Sequence, residues 1–586
     1  MINFQFFCLG GQNEKGKCCQ ILNVDDDIYI LSCGIITPPN IVSGIQKKIP
    51  NFDYLVENKE RVKGIFIGTS EYKQFGGLEY LVNVLPNVPI YTSPIGKVLI
   101  TSFFKNDILN KKSNDFVPNI VALEPLKSVM IDGKMQVTAF RTYNYFLFGI
   151  GFVFTFGQKS IIYFDKFIVP TSMNNFFNDL IFEINKITKN NNYLLLTSVG
   201  KNINYHSFAT PNYGIKDFFD NIFSNEKNQI IIALDANNLY YLAVIAKLCT
   251  GYSLPFCIID QTTNDVFSYL VKNKIINLPN LPWVDPQLIK NYKHCVVIIV
   301  AYRQKLIQKL EKIISGDDQN IQFHDEDAFV YALDTENGFE KIESNIIDEI
   351  SKLQKVTTYR LPKDIIELSQ CQEDHKFIVS LLKPRYIIPI NDLYMNFVKY
   401  EQLIATTKFK SNNVLLTDNG QIVKFVNDQI EKIPVKKSNI KIIEQNIRSH
   451  GYIDIHASHL IESQQMASDG CVLISLLIDR QEKKIIKFNY NPVGVINLLN
   501  EKNRQKLIEI NTILNNRMNE ILNKFVDQNN LLTKKLQDEF KKEVIKLYQK
   551  NFGKKPLILI TIIYNNSIVQ QKKKWIWKPL KSPLFL

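Results

Sequence analysis

Short apolar runs separated by polar turns dominate the first 210 residues of the chain. Examples are "IYILSCGII", "VKGIFIG", "FGIGFVFTFG" and "SIIYFDKF", and long helical patterns are few. Runs of this length between turn residues are typical of β-strands. The pattern therefore predicts a strand-rich, layered domain over residues 1–211.

The pattern changes after residue 212. Apolar strands such as "QIIIALDA" and "CVVIIV" alternate with helical stretches up to residue 360, which predicts a parallel α/β unit. Residues 361–437 return to short strands, and residues 438–446 are polar enough to form a linker. The fold class predicted for the whole chain is α/β.

A last domain is predicted over residues 447–565. Two strands, "CVLISLLID" and "KKIIKFNY", precede two amphipathic helices and a final strand, "PLILITIIY". Apolar residues recur every three or four positions along each helix, so each helix is expected to bury one face. The predicted stripes are Leu507, Ile510, Leu514, Ile521 and Phe525 on the first helix, and Leu532, Leu536, Phe540, Val544 and Leu547 on the second.

Charge is unevenly distributed along the 586 residues. The chain has a net charge of +13 at pH 7 and a pI near 9.0, which favours contact with an anionic polymer. Residues 451–586 hold 22 Lys and Arg against 12 Asp and Glu, so most of the surplus is C-terminal. The nine cysteines form no CxxC pair, and no apolar stretch is long enough to span a bilayer. These features predict a cytoplasmic protein with reduced cysteines and no membrane partner.

Several segments resemble the bacterial ribonuclease J family, and the resemblance extends to about residue 565. "FFCLGGQNEKGKCCQIL" is similar to that family's N-terminal strand and Gly-rich turn, and "LLKPRYIIPINDLYMN" is similar to its late RPKYFIPVHGEY segment. The resemblance implies a metallo-β-lactamase αββα sandwich (1–211 and 361–437), an inserted β-CASP domain (212–360) and a small α+β C-terminal domain (447–565). It also implies a role in RNA degradation and maturation.

The resemblance fails at the metal ligands. Members of the family hold two metal ions, usually zinc or manganese, with the loop THGHxDHxGG, a later histidine, a bridging aspartate and a final histidine. Here the loop is "GTSEYKQFGG", and all seven histidines lie after residue 205. Lys73 falls where the family has an aspartate, and an ammonium repels a dication. Asp165 alone keeps the family's residue. The corresponding positions are Thr69, Glu71, Lys73, Gln74, Asn144, Asp165 and Asn391.

The segments that contact RNA phosphates in the family also differ here. The family's SGHAS loop corresponds approximately to "ELSQC" around Ser369. Its TGSQGE element corresponds to "VAYRQKL", where Tyr302 replaces a glycine and Gln304 is kept. Arg141 keeps the arginine of the family's FRT motif, and it could either contact RNA or form a structural ion pair.

A basic aromatic tail over residues 566–586 follows the last predicted strand. Lys572, Lys573 and Lys574 lie beside Trp575 and Trp577. Ammonium groups neutralise phosphates and indoles stack on unpaired bases, so the tail is a candidate for binding single-stranded RNA or the ribosome. The alternative is a tail whose tryptophans pack on the C-terminal domain.

The missing ligands predict a catalytically inactive ribonuclease J-like subunit that needs no metal or other cofactor. Because paralogues in the family often associate, its expected partner is an active ribonuclease J paralogue or a second copy of itself, with RNA as a further partner. Two alternatives remain open. One is a stand-alone RNA- or ribosome-binding protein. The other is an enzyme with a rebuilt site in which Glu71, Asn144 and Asp165 bind one Mg²⁺.

Overall fold

The computed structural model of the chain describes residues 3–565 with short gaps. The omitted positions are 39–44, 70, 109–117, 145, 147, 170–182, 184–185, 188–191, 210–213, 237, 319, 335–337, 354, 363–364, 366–368, 411–412, 427–428, 439, 443–444, 449–450, 453–456, 480–481, 483, 496–500 and 527–532. The chain divides into two compact units between Ile453 and Asp454. Along the described parts, no helix combines the length and apolar character that a membrane span requires.

The first unit contains most of the strands and helices. Its strands are β1 (Phe4–Gly10), β2 (Cys19–Val24), β3 (Asp27–Leu31), β4 (Lys47–Ile49), β5 (Val62–Ile67), β6 (Ile90–Thr92), β7 (Ile120–Ala122), β8 (Ser128–Ile131), β9 (Met135–Thr142), β10 (Gly149–Phe156), β11 (Lys159–Phe164), β12 (Asn192–Ser198), β13 (Ile230–Asp235), β14 (Phe256–Ile258), β15 (Val296–Ala301), β16 (Ala328–Ala332), β17 (Thr357–Arg360), β18 (Tyr386–Ile390), β19 (Ile422–Val426), β20 (Gln429–Ile433), β21 (Gln445–Arg448) and β22 (Gly451–Tyr452). Its helices are α1 (Asp53–Glu57), α2 (Tyr72–Phe75), α3 (Leu78–Val84), α4 (Pro94–Phe103), α5 (Gly214–Asn225), α6 (Leu239–Tyr252), α7 (Gln261–Lys272), α8 (Arg303–Ile314), α9 (Glu340–Ser351), α10 (Gln372–Leu382), α11 (Tyr394–Ala405) and α12 (Val435–Ser438).

The largest sheet joins the beginning and the end of the first unit. Its strand order is β20-β19-β1-β2-β3-β5-β6-β7. The strands from β20 to β3 pair antiparallel, and those from β3 to β7 pair parallel. Because β19 and β20 follow residue 361, the last two strands of this sheet are separated in sequence from the others by the second sheet and the five-stranded sheet.

A second sheet, of order β18-β12-β11-β10-β9-β8, packs face to face against the first. The Phe66 ring lies 5.3 Å from the Phe152 ring and 4.9 Å from the Phe154 ring, measured between centroids. The Phe4 and Phe156 rings are 5.6 Å apart. These aromatic contacts bury large apolar areas from both sheets, which makes the interface the central core of the unit.

Helices cover the outer faces of the two sheets. Leu81 of α3 and Phe103 of α4 are buried in one core with residues of the first sheet. Ile378 of α10 and Tyr400 of α11 are buried in another core with residues of the second sheet. The layers therefore run helix, sheet, sheet, helix, and the predicted mixed α/β class is confirmed.

Residues 230–360 contribute a separate sheet of order β14-β15-β13-β16-β17. All its pairings are parallel, and α6 to α9 connect its strands, while α5 precedes its first strand, β13. Parallel neighbours need crossover connections, which is why strands and helices alternate in this part of the sequence. The boundaries and names given to the domains within the unit stay predictions.

A small three-stranded sheet, β22-β21-β4, includes part of the sequence expected to link two domains. In β21, Gln445 pairs with Ile49 of β4, and Ile447 pairs with Lys47. The end of this polar segment thus pairs as a β-strand instead of forming part of a loop.

The second unit contains a three-stranded sheet and the two long helices predicted from the sequence. Its elements are α13 (Ala457–Asp469), β23 (Cys471–Asp479), β24 (Lys484–Val493), α14 (Glu501–Val526), α15 (Thr533–Phe552) and β25 (Leu557–Asn565), with strand order β24-β23-β25. Among the stripe positions, Ile510, Leu514, Leu536, Phe540, Val544 and Leu547 are buried in one core with the sheet. Ile521 is only partly buried, whereas Met518 and Leu522 are fully buried. Phe525 and Leu532 lie outside the side chains that the structure describes.

Candidate functional site

Three neighbouring parallel strands of the second sheet end at the same edge. Asp165 directly follows β11, Ser198 ends β12, and Asn391 directly follows β18. The carboxyl ends of adjacent parallel strands lie side by side, so residues far apart in sequence meet here. Glu71, which follows β5 of the first sheet, reaches the same place.

A cleft with a volume of about 350 Å³ opens at this edge. It is lined by residues of the two-sheet sandwich and of the parallel five-stranded part, all within the first unit. Basic and acidic groups are close to balanced along its wall. The charged lining side chains are Lys15, Glu71, Lys73, Lys166, Lys201, Asp235, Arg303, Asp334 and Asp392.

The loop that corresponds to the family's metal motif is packed firmly against the first sheet. The backbone N–H of Cys33 donates to the Gln74 carbonyl at 2.8 Å. A Cβ at Gly34 would lie 1.7 Å from the Lys73 carbonyl oxygen, so only glycine allows this approach. Thr69 and Gln74 are buried, while Lys73 and Gln74 line the cleft. The loop thus keeps a defined shape although its metal-binding residue types are absent.

An ion pair occupies the floor of the cleft. The Lys166 ammonium lies 2.9 Å from Oε1 of Glu71, and their side chains are only 17% and 10% exposed. Lys166 follows Asp165 in the sequence "FDKF", and nothing in its apolar surroundings marks it as a site residue. Its role in the cleft is therefore not evident from the sequence alone. A charged residue directly after the predicted bridging aspartate is the one signal that could have identified it.

Asp165 is buried behind this ion pair. Asn391 donates from Nδ2 to Oδ1 of Asp165 at 3.1 Å, and Asn391 Oδ1 accepts from Gln20 Nε2 at 2.5 Å. Burial raises the pKa of Asp165 to about 7, with a further rise from the Glu71 carboxylate, while the Asn391 hydrogen bond and the Lys166 charge lower it. Asp165 therefore holds a proton more tightly than an exposed aspartate does.

Asn144 is also buried, but it does not line the cleft. Its Oδ1 accepts from the Phe146 backbone N–H at 2.8 Å, and its Nδ2 donates to the Lys166 carbonyl at 3.3 Å. The side chain therefore holds the local backbone in place. Of the seven ligand-equivalent positions, Glu71, Lys73, Gln74 and Asn391 line the cleft, whereas Thr69, Asn144 and Asp165 do not.

The residues at this site do not fit a two-metal centre. Over the described residues, no group of three or more His, Cys, Asp or Glu side chains is placed to hold a metal ion. The Lys166 ammonium already lies 2.9 Å from Oε1 of Glu71, one of the two carboxylates that could contribute to such a centre. Two metal ions need several anionic or imidazole ligands, and an ammonium among the ligands repels them.

Arg141 is paired with a carboxylate beside β9. Its Nε lies 3.2 Å from Oε1 of Glu183, and its backbone N–H donates to Glu183 Oε2 at 3.0 Å. Glu183 is almost fully buried, so this contact fits the structural ion-pair interpretation of Arg141. An RNA contact by Arg141 stays a prediction.

Ser369 and Gln370, in the segment predicted to correspond to the family's phosphate loop, are buried and hydrogen-bonded within the protein. Gln370 donates from Nε2 to the Ser198 carbonyl at 2.7 Å, and Ser369 Oγ donates to Gln370 Oε1 at 3.1 Å. Gly200, with φ +79°, lies against Gln370, where a Cβ would come within 2.8 Å of its side chain. The polar groups of this loop are thus used within the protein.

Two aromatic rings meet across the cleft. The Tyr72 ring stacks on the Tyr302 ring at 3.9 Å with an interplanar angle of 17°. Next to Tyr302, Arg303 donates to Glu343 Oε1 at 2.7 Å and to the Asp334 carbonyl at 2.7 Å. The sequence indicated that Tyr302 adds bulk at a glycine position, but it did not indicate this partner.

Other predicted site residues fall outside the described parts of the chain. Lys572, Lys573, Lys574, Trp575 and Trp577 all belong to residues 566–586, which the structure does not describe. The proposed RNA contacts of the tail therefore stay predictions.

Residues 459–565 match the Ribonuclease J C-terminal domain family. The matched range covers most of the second unit. A solved protein of unknown function from Enterococcus faecalis V583 covers 72% of this chain and 100% of its own, with a TM-score of 0.48 and 12% identity, and it is too distant to support an argument.

Two relatives extend the similarity over nearly the whole chain. The uncharacterized protein MG423 of Mycoplasma genitalium is 31% identical over 567 residues, which cover 96% of this chain and 100% of that protein. Ribonuclease J2 of Bacillus subtilis is 25% identical over 491 residues, which cover 83% of this chain and 85% of the relative. With the match to the C-terminal domain, this similarity makes the chain a member of the ribonuclease J family.

Proposed function

We propose that this chain is a catalytically inactive member of the ribonuclease J family that supports RNA processing or decay by binding an active paralogue, a second copy of itself or RNA. Its fold follows the family plan. The helix, sheet, sheet, helix layers are the metallo-β-lactamase sandwich, and the parallel five-stranded part is the inserted β-CASP domain.

The observation that carries the proposal is the Glu71–Lys166 ion pair at the metal position. The lysine ammonium lies 2.9 Å from Glu71 and belongs to the residue next to Asp165. A catalytic metal would have to displace this ammonium and bring several ligands that the described residues do not supply. The rebuilt Mg²⁺ site is disfavoured for a related reason, because Asn144 Oδ1 already accepts a backbone hydrogen bond outside the cleft.

The charge balance of the cleft favours protein association over RNA binding in the cleft itself. Arg303 is paired with Glu343, and Lys166 is paired with Glu71. Lys15 and Lys201 lie 3.9 Å from Asp392 and Asp334. Affinity for RNA depends on cationic groups that neutralise phosphates, and these groups already face carboxylates. The stand-alone RNA-binding alternative therefore depends on the tail.

The deciding experiment combines elemental analysis, an RNA degradation assay and identification of co-purifying proteins. We expect less than one equivalent of zinc or manganese per chain and no nuclease activity. We also expect an active ribonuclease to co-elute when the protein is purified from its own cells. Asp165→Ala is the matched control, because any contaminating nuclease would be unaffected by it. Two equivalents of metal, together with activity that Asp165→Ala abolishes, would contradict the proposal.

A further inference from the structure

The ammonium of Lys166 has an unusual position for a lysine. Its side chain is 17% exposed, and it extends into the floor of the cleft rather than into solvent. The Glu71 carboxylate lies 2.9 Å away, and the charge of Lys166 also acts on Asp165. Lysine side chains are rarely buried to this extent without a charged partner, so the surroundings of Lys166 must compensate its charge.

The carboxylates of Glu71 and Asp165 are also unfavourable without a nearby positive charge. Glu71 and Asp165 are both buried, and their negative charges repel each other. Asp165 Oδ1 accepts a neutral hydrogen bond from Asn391 Nδ2, and the nearby Ser198 hydroxyl also lowers the pKa of Asp165. Neither of these two neutral groups carries a charge that offsets the repulsion from Glu71. A positive charge at this position therefore stabilises both acidic side chains.

We propose that Lys166 is a built-in cation that replaces a bound metal ion, holding Glu71 and Asp165 together without any ligand from solution. The inference rests on the proposed absence of a catalytic metal, and it names the group that took over the metal's structural role. Lys166 is thus a positioning residue for the loop that begins at Glu71 and for the strand end at Asp165.

Removing the lysine charge should recreate a cation site. Glu71 and Asp165 would then offer up to four carboxylate oxygens without a lysine ammonium beside them. Oxygen ligands of this kind suit Mg²⁺ and Mn²⁺, which complete their coordination with water. The Lys166→Met variant keeps an unbranched side chain, one atom shorter, and removes the ammonium group, so it is the most direct test.

The test measures thermal unfolding of the full-length protein after chelator treatment, with and without MgCl₂ or MnCl₂. We expect Lys166→Met to have a lower Tm than the wild type without metal, and to gain at least about 2 °C when Mn²⁺ is added. The wild type should gain nothing. Lys15→Met is the matched control, because it removes a lysine of the same cleft whose nearest carboxylate is Asp392, at 3.9 Å. Its Tm should not respond to metal.

A double variant keeps the test decisive if Lys166→Met folds poorly. Glu71→Gln removes the negative charge that Lys166 compensates, so Glu71→Gln/Lys166→Met should be more stable than Lys166→Met alone and should lose the response to Mn²⁺. A double variant no more stable than Lys166→Met would overturn the inference. The same conclusion follows if Lys166→Met matches the wild type in Tm and ignores metal. A metal-dependent rise in the wild-type Tm would instead contradict the proposed function.

Discussion

Apolar side chains fill the core of the second unit, whereas charged and polar side chains fill the floor of the cleft in the first. In the described part of the second unit, only tyrosine, through its hydroxyl, brings a polar side-chain group into the core. Around the cleft, Glu71 is held by Lys166, and Asp165 is held by Asn391. Each of these contacts joins residues from different loops.

The two regions should therefore respond differently to amino-acid substitution. An apolar core loses stability in proportion to the volume removed, because its contacts are numerous and have no fixed direction. A buried ion pair behaves otherwise, because loss of one partner leaves an uncompensated charge that neighbouring apolar groups cannot satisfy. The stability of the second unit therefore depends on how well its apolar side chains pack, and the stability of the cleft depends on the pairing of its charges.

Among substitutions that test this contrast, Phe540→Ala in α15 is expected to have the largest effect on stability. Phe540 is fully buried in the core of the second unit, so its removal should cost about 3–5 kcal/mol of unfolding free energy. The loss should be confined to that unit. Hydrogen exchange measured by mass spectrometry checks this, with faster exchange expected in β23 and unchanged exchange in β11.

The matched control for Phe540→Ala is Gln549→Ala, an exposed position on the same helix. It should change the unfolding free energy by less than about 0.5 kcal/mol. Equal acceleration of exchange in β11 and β23 by Phe540→Ala would mean that the two units unfold together, and the contrast between them would then fail.

A smaller effect is expected from the pH dependence of stability around the cleft. The pKa of Asp165 is raised to about 7 in the folded protein, above the value of about 3.9 for an unfolded aspartate. The folded state therefore binds the proton more tightly, and the contribution of Asp165 to stability decreases as the pH rises from about 4 to about 7. Asp165→Asn should remove this decrease.

The measurement is the difference in unfolding free energy between wild type and Asp165→Asn at several pH values. As the pH rises from about 4 to about 7, the wild type should lose stability relative to Asp165→Asn by at most about 1.4 kcal/mol per pH unit. Subtraction cancels the opposite contribution of His375, whose pKa burial lowers to about 4. Asp325→Asn, at an exposed position, controls for the loss of one carboxylate. A pH-independent difference for Asp165→Asn would show that its carboxyl does not titrate in the folded state.

The smallest effect is expected from removing residues 572–586, which lie outside the described parts of both regions. Lysines and tryptophans in this segment suit nonspecific contact with single-stranded RNA. Its removal should weaken RNA binding several-fold and reduce the salt dependence of the affinity, measured by fluorescence anisotropy at two salt concentrations. Replacing Trp575 and Trp577 with Ala while keeping the lysines separates stacking from charge. Unchanged affinity in the shortened chain would leave the tail as a packing or protein-docking segment.

Local patterns in the sequence were sufficient for much of the fold. The alternation of strands and helices over residues 212–360 predicted the parallel sheet, because parallel strands need crossover helices. Helical spacing predicted that Leu536, Phe540 and Val544 share a buried face. It was less accurate on α14, where the buried face continues through Met518 and Leu522 and leaves Ile521 at its margin. Packing against the sheet, rather than the spacing itself, selects among neighbouring apolar positions.

The sequence also determined which residue types are missing from the loop after β5. No histidine precedes residue 206, and the loop after β5 carries Glu71, Lys73 and Gln74 in place of metal-binding residues. These identities hold whatever the fold. They do not reveal which side chain lies against Glu71.

Only the tertiary structure decided that Lys166 pairs with Glu71, that Tyr72 stacks on Tyr302, and that Asn391 bonds to Asp165. Each pair joins strand ends or loops that are distant in sequence, and no local periodicity relates them. Lys166, Asp165 and Asn391 meet because adjacent parallel strands end at one edge, where the loop of the facing sheet also arrives, whereas Tyr302 comes from the end of β15 in the five-stranded sheet. The sequence determines which charged and polar side chains are present. The order and direction of the strands determine which of them lie in contact.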